Sequence, residues 1–237
     1  MVADAWALVL DGITRYPDDG CVHDVPWFVS GLCAAVAGRV WSGSLIEVLS
    51  GSIAEVARSH EGTCDLANPV SPGATVALVR VVGEVLEWLL LGDCAIAWTD
   101  QAGAVQVRGD ERLAELPNPP AAVDVAGIRR YPVEYVASVR NREGGFWVAA
   151  TAPEAAAMAY TGEVPVDDIG QMLICTDGLT RLVERYDHTW ESMFTRAGAD
   201  GISGLLKLVR AEEERDPNFG PKSKRHDDAT GVFLRFR

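Results

Sequence analysis

An α+β architecture built on antiparallel sheets follows from three features of the chain. Apolar runs of strand length come one after another across short turns, as hairpins and a meander, instead of alternating with helices. Segments of helical period come in consecutive pairs, each with one apolar face to bury. Apolar residues make up 48% of the 237-residue chain, enough to fill two sheets with helices outside them. No internal repeat or low-complexity segment interrupts the pattern.

Taken in order, Trp6-Ala-Leu-Val-Leu-Asp11-Gly12 is a short apolar strand ending in Asp-Gly, followed by a loop from Ile13 to His23 rich in Pro, Asp and Gly. Asp24 is placed to cap a helix whose Phe28, Leu32, Ala35, Val36 and Val40 share a face. A second helix begins at Ser44 and Glu47, which have capping-box spacing, and carries the stripe Leu45, Val48, Leu49, Ile53 and Val56. The period then changes. Ala74 to Val82 and Val85 to Leu91 read as strands joined by a two-residue turn at Gly83-Glu84. Cys94 to Trp98 and Ala104 to Arg108 extend the meander through a turn at Asp100 to Gly103.

Residues 110 to 145 are less regular, broken by Pro117-Asn-Pro-Pro120, and read as a connecting or flap segment with some helix. A strand from Phe146 to Ala150 and a short Ala-rich helix from near Pro153 follow. Met172 to Thr176 is a strand that delivers Asp177 at its end. Gly178 turns the backbone, and Leu179, Leu182, Val183 and Tyr186 recur at helical spacing. Ile202 to Arg215 is a further amphipathic helix, Pro217 to Lys224 a polar loop, and Asp227 to Phe236 a closing strand entered from paired aspartates.

Composition narrows the function. A formal charge of −13 argues against a nucleic-acid or anionic-membrane partner, both of which need a basic surface. It suits a site that gathers cations. The five cysteines, Cys21, Cys33, Cys64, Cys94 and Cys175, are scattered with no CxxC spacing, which supports neither a zinc ribbon nor a redox pair. Cys33 and Cys175 lie in apolar runs and read as small core residues. With no signal peptide and no membrane-length apolar run, the expected compartment is the cytoplasm.

The aspartates carry the chemistry. Asp11, Asp93, Asp177 and Asp227 or Asp228 all stand at strand ends. One such residue alone is most simply a helix cap. Four from distant strands meeting at one rim form a site for hard divalent cations, which take carboxylate, carbonyl and water oxygens. Two such ions about 3.5–4 Å apart activate a water for in-line attack on phosphorus.

The motifs Val9-Leu-Asp11-Gly12, Gly73-Ala-Thr75, Gly92-Asp93-Cys94, Thr176-Asp177-Gly178 and Asp227-Asp228-Ala-Thr230, in that order, resemble those of the metal-dependent type 2C protein phosphatases (PPM family). The likeness spans nearly the whole chain. It implies one phosphatase-like domain over 1–237, a four-layer sandwich of two central antiparallel sheets flanked by helix pairs, with 110–145 at the variable flap of bacterial members. It implies hydrolysis of phosphoserine and phosphothreonine, in proteins or small phosphoesters, by a metal-bound hydroxide. Two manganese or magnesium ions are implied, Asp11 bridging them and Gly12 binding one through its carbonyl. Asp177 and Asp227 would complete the coordination of the second ion, Asp228 stands at the family's Asn/Asp position, and Asp93 would help hold a third ion.

The chain departs from the family pattern at its start. The family carries an Arg-x-x-x-Glu-Asp segment upstream of Asp-Gly, whereas ten residues precede Asp11 here and Asp4 is too near to be that acid. The expectation is either that the chain begins late or that the protein lacks those groups. Ile13 stands where many eukaryotic members have a histidine, and Ile13-Thr14-Arg15 replaces a usual Gly-Gly. His23 is a candidate replacement acid, weighed against an ordinary loop histidine. Arg15, ahead of Arg129 and Arg130, is a candidate phosphate ligand. Pro221-Lys-Ser-Lys-Arg225 is the one basic run. Trp27 and Trp41 read as core anchors. Two other readings stay open: a catalytically inactive relative that binds a partner or ligand on the same face, and an unrelated aspartate-rich metal-binding fold lacking paired antiparallel sheets.

Overall fold

A computed structural model describes residues 1–125, 127–217 and 226–236. Its elements run β1 (Val2–Ala3), β2 (Trp6–Gly12), α1 (Val25–Arg39), α2 (Leu45–Ser59), β3 (Ala74–Val82), β4 (Val85–Leu91), β5 (Ala95–Thr99) and β6 (Val105–Arg108). After these come β7 (Val123–Val125), β8 (Ile128–Arg130), α3 (Val133–Val139), a 3₁₀ turn at Pro153–Met158, β9 (Tyr160–Pro165), β10 (Gln171–Cys175), α4 (Asp177–Glu184), α5 (Trp190–Arg215) and β11 (Gly231–Arg235). One sheet has the order β1-β2-β3-β4-β9 and the other β11-β10-β5-β6, and β7-β8 form a separate hairpin. Every pairing between named strands is antiparallel.

The period of two along each strand sorts the side chains into layers. Leu8, Val76, Leu78, Leu89 and Leu91 pack with Phe28, Leu32, Val36, Leu49 and Ile53 of α1 and α2. Their neighbours Ala7, Val9, Ala77, Val79 and Leu90 point the other way and meet Ile96, Trp98, Met172 and Ile174 of the second sheet. On that sheet's far face Ala97, Leu173 and Cys175 pack with Leu179, Leu182, Met193, Phe194, Leu205 and Val209 of α4 and α5. Helix pair, sheet, sheet and helix pair therefore enclose three apolar cores. A one-residue slip of β3 would exchange two of these cores, so its register is strongly specified.

The helix starts are local. Asp24 accepts from the Trp27 amide at 2.9 Å to cap α1. Ser44 and Glu47 close both halves of a capping box on α2. The hairpin turn at Gly83-Glu84 pairs Val82 with Val85, and Gly83 has a positive φ of 60°.

Four features depart from the sequence expectation. Phe146 to Ala150 is no strand: it makes isolated bridges at Phe146 and Ala149, and its apolar character reflects burial without a ladder. The edge strand β9 was hidden by its exposed, Gly- and Pro-containing sequence. The helix expected from Ile202 continues a longer one from Trp190, with a break at Gly201 (φ 68°). Trp41 is 56% exposed and anchors no core, although Trp27 packs on the first one. The segment 110–145 contains β7, β8 and α3. The basic run 221–225, and the loop of which it is part from 218 onward, lie outside the described residues.

Candidate functional site

The alternation that builds the layers also aims the first carboxylate. Ala7 and Val9 face the second sheet, so Asp11, two residues further along β2, continues on that face. Asp177 follows β10 in the second sheet as the first residue of α4, where the helix dipole favours an anion. Asp93 sits in the crossing from β4 of one sheet to β5 of the other, and Asp227 leads into β11. All four line one cleft of about 620 Å³, together with Gly12 and Thr75.

Two tight approaches fix this rim. Gly92 has φ +84°, and a Cβ there would stand 2.6 Å from the Thr75 side chain. The Gly92 amide donates to Asp110 Oδ2 at 3.1 Å, and Asp110 is in turn held by Arg112. At Gly178 a Cβ would lie 2.3 Å from the Asp228 carbonyl oxygen. Only a glycine after Asp177 lets the 227–228 segment close on α4. Hydrogen bonds between Thr176 and Thr230, each amide donating to the other residue at 3.0 Å, complete that contact.

The carboxylates repel one another where burial already disfavours their charge. Burial pushes Asp11 up to about 8, aided by its hydrogen bond to Asp177 and by the charges of Asp177, Asp93 and Asp227. Burial, then Asp177, raises Asp93 to about 7, against the Thr75 hydroxyl that hydrogen-bonds it. Asp177 is also raised, by burial and Asp227, although Asp11 and Arg181 pull it back. Both carboxyls of the Asp11–Asp177 pair are therefore pushed toward the protonated form. An oxygen-only donor set that must stay partly protonated fits a hard divalent ion, which would let every member ionise.

Asp227 is gripped by Arg181 of α4, whose guanidinium also reaches Glu213 at 3.1 Å. Glu213, fully buried, further takes Arg210 at 2.6 Å and His226 at 2.8 Å. Against the upward push of burial, these partners hold its carboxyl below the ordinary glutamate range.

Opposite the acidic floor, 110–145 supplies a basic wall. Arg129, Arg130, Tyr131 and Arg140 line the cleft. Arg130 lies over the Tyr16 ring at 4.3 Å, and the Tyr16 hydroxyl donates to the Tyr131 carbonyl at 2.9 Å, which ties the wall to the loop after β2. Arg140 is 3% exposed and donates to the Ser71 carbonyl at 2.9 Å, but its Nε and Nη2 have no partner. Burial lowers it only to about 10, so it stays charged at neutral pH. Nothing in the local sequence marked Arg140, because its burial depends on the distant Ser71 and Ala149 segments.

Three sequence candidates lie elsewhere. Arg15 is absent from the cleft lining: it grips Asp19 at 2.6 Å and the Cys21 carbonyl at 2.7 Å. His23 is also absent from the lining, stacked on Trp27 with ring centres 3.9 Å apart. Asp228 is exposed, its amide turned back on Asp227 and its carbonyl against Gly178.

Fold and rim together define a class. The chain has the fold of the type 2C serine/threonine phosphatases. No family model and no curated protein matches the sequence. Among solved structures, the Mycobacterium tuberculosis serine/threonine phosphatase PstP/Ppp superposes with a TM-score of 0.59 at 13% identity, covering 100% of this chain and 90% of that one. The Staphylococcus aureus serine/threonine phosphatase Stp1 gives 0.56 at 11% identity, over 98% and 84%. The catalytic domain of PstP in complex with two manganese ions gives 0.55 at 12%, over 98% and 87%.

Proposed function

We propose that this protein is a metal-dependent phosphoester hydrolase acting on phosphoserine or phosphothreonine. The observation that carries the reading is the convergence of Asp11, Asp93, Asp177 and Asp227, from both sheets, on one cleft. Asp11, the Gly12 carbonyl, Asp177 and Asp227 would hold two manganese or magnesium ions, with Asp93 toward a third. Bound there, the ions would lower the pKa of a water to be used as nucleophile and neutralise charge on the phosphoryl oxygens.

The chain's own groups do the rest. The apolar cores behind the rim exclude bulk water from the floor, which strengthens every charge interaction in it. Arg129, exposed on the cleft lining, would bind the non-reacting phosphoryl oxygens, a role the sequence had suggested for Arg15, and the buried Arg140 would add its charge to the same wall. His23 lines another part of the molecule and does not serve as the acid in this scheme.

A specific observation favours a second reading. The Arg181 guanidinium already neutralises Asp227, as it would in a relative that binds partners or ligands without turnover. Calorimetric titration of metal-free protein with manganese, alongside p-nitrophenyl phosphate hydrolysis, separates the two for wild type and Asp177→Ala. Binding and turnover that both vanish in the variant support the hydrolase. Binding without turnover supports the inactive relative, and failure to bind manganese or magnesium removes the metal from either account.

A further inference from the structure

Away from the acidic cleft, the fold gathers a second set of ligating side chains of a different chemical kind. Cys21, His60 and Cys64 bring one ligand atom each within 4.8 Å of one another. The two sulfurs are 2.8 Å apart, and His60 Nδ1 lies 3.5 Å from Cys21 Sγ. His60 is 2% exposed, and its Nε2 has no hydrogen-bond partner. None of the three lines the cleft.

The surrounding backbone is folded to hold them. His60 caps the C-terminus of α2. Its carbonyl accepts from the Thr63 and Cys64 amides at 3.2 Å each, curling His60-Glu-Gly-Thr-Cys64 so that both ends face one point. On the other side, Asp19 accepts from the Cys21 amide at 3.1 Å, and the Asp65 amide donates to the Gly20 carbonyl at 2.8 Å. The Val22 amide points at Cys64 Sγ at 3.3 Å, the kind of outer contact that orients a thiolate ligand.

We propose that Cys21, His60 and Cys64 bind one zinc ion, which staples the loop after β2 to the end of α2. Two thiolates and an imidazole are the soft and borderline donors that zinc selects, whereas manganese and magnesium prefer the oxygen set of the acidic cleft. The fourth tetrahedral position is left to solvent, because His23, the neighbouring imidazole at 6.0 Å between ring centres from His60, is held against Trp27. A disulfide between the two cysteines is the competing account. It gives no reason for a buried imidazole on the same sulfur. The staple matters to the rest of the molecule because the loop it pins begins at Gly12, beside Asp11.

Cobalt(II) is the probe. Full-length protein, reduced and stripped with a chelator, is titrated with cobalt and then with zinc, and the same titration is run on Asp11→Asn/Asp177→Asn and on Cys64→Ser. A thiolate-to-metal charge-transfer band that saturates at one thiolate-bound cobalt per chain, is bleached by zinc and is retained in the double aspartate variant is the expected result. Cys64→Ser should weaken affinity by more than the ~10–100-fold that an outer-contact change costs, and lower the band. If Cys64→Ser does not fold, the wild-type spectrum decides alone, since oxygen ligands give no such band. A reduced wild-type protein with no thiolate band overturns the proposal, as does a full-strength band in folded Cys64→Ser. So does a Cys21–Cys64 disulfide in protein that takes up no metal once reduced.

Discussion

Asp11 is held among like charges in a state that costs the fold stability. Its carboxyl is pushed up to about 8, and that of Asp93 to about 7. Both are raised above the unfolded values, so the metal-free native state binds more protons than the unfolded chain between about pH 4 and 8. Stability from this cluster therefore falls as pH rises through that window. Asp11→Asn should raise the melting temperature of metal-free protein at neutral pH, about 2–4 °C for each kcal/mol relieved, and the gain should shrink toward pH 4. Thermal melts across pH check this, and a variant that melts lower at pH 7 would count against it. The arginines make a second test at the same scale. Arg129→Ala should cost roughly 100-fold in kcat/KM, the scale for losing one preorganised donor, while Arg15→Ala, already committed to Asp19, should leave it nearly unchanged. Asp11 and Asp177 were legible from the sequence because strand-end Asp-Gly is a local signal. The place of Arg15 was not, since Asp19 captures it four residues away and no periodicity reports such a pairing.

Among the elements, α4, α5 and the approach to β11 act together through Glu213. It sits fully buried under Arg181, Arg210 and His226, and Arg181 passes the constraint on to Asp227. Because its folded pKa is lowered, its contribution is present above the ordinary glutamate value and lost as pH falls through the lower folded one. Glu213→Gln should destabilise by roughly 2–3 kcal/mol, less than a fully buried pair because Arg181 and Arg210 keep contact with solvent. It should also weaken manganese binding by freeing the Asp227 segment. Urea denaturation and calorimetry test both, and an unchanged affinity would confine Glu213 to stability. The same elements show where pattern reading fails. The first half of α5 was hidden by Ala-Gly-Ala-Asp-Gly at 197–201, a loop-like string that ends in the positive-φ Gly201. Its start is signalled after all, by the Thr189/Ser192 capping pair. Edge strand β9 buries too little of either face to alternate.

Across the whole molecule, most of the architecture was readable because two periods, 2.0 and 3.6, sort nearly all large apolar residues among three cores. What the periods cannot report is which distant loops meet. Cys21 and Cys64 are 43 positions apart, and the scatter that gave neither zinc-ribbon nor redox-pair spacing in the sequence is what folding removes. Global stability should respond to the oxygen-lined cleft as a unit. Manganese at ~100 times its dissociation constant should stabilise the fold by about 2.7 kcal/mol, read as a rise in melting temperature that Asp177→Ala abolishes. No helix among the described residues is long and apolar enough to cross a membrane.

The raised carboxyl of Asp11 beside Asp177 has a calorimetric meaning of its own. A cation entering the cleft would displace protons that the raised carboxyls retain, so uptake would exchange ion for proton. Its measured heat will therefore include the ionisation enthalpy of the buffer, and will differ between phosphate-free buffers of unlike ionisation heat at one pH. The slope of that plot counts the protons released. Mild acidification would run the exchange backward and empty the cleft without unfolding the protein.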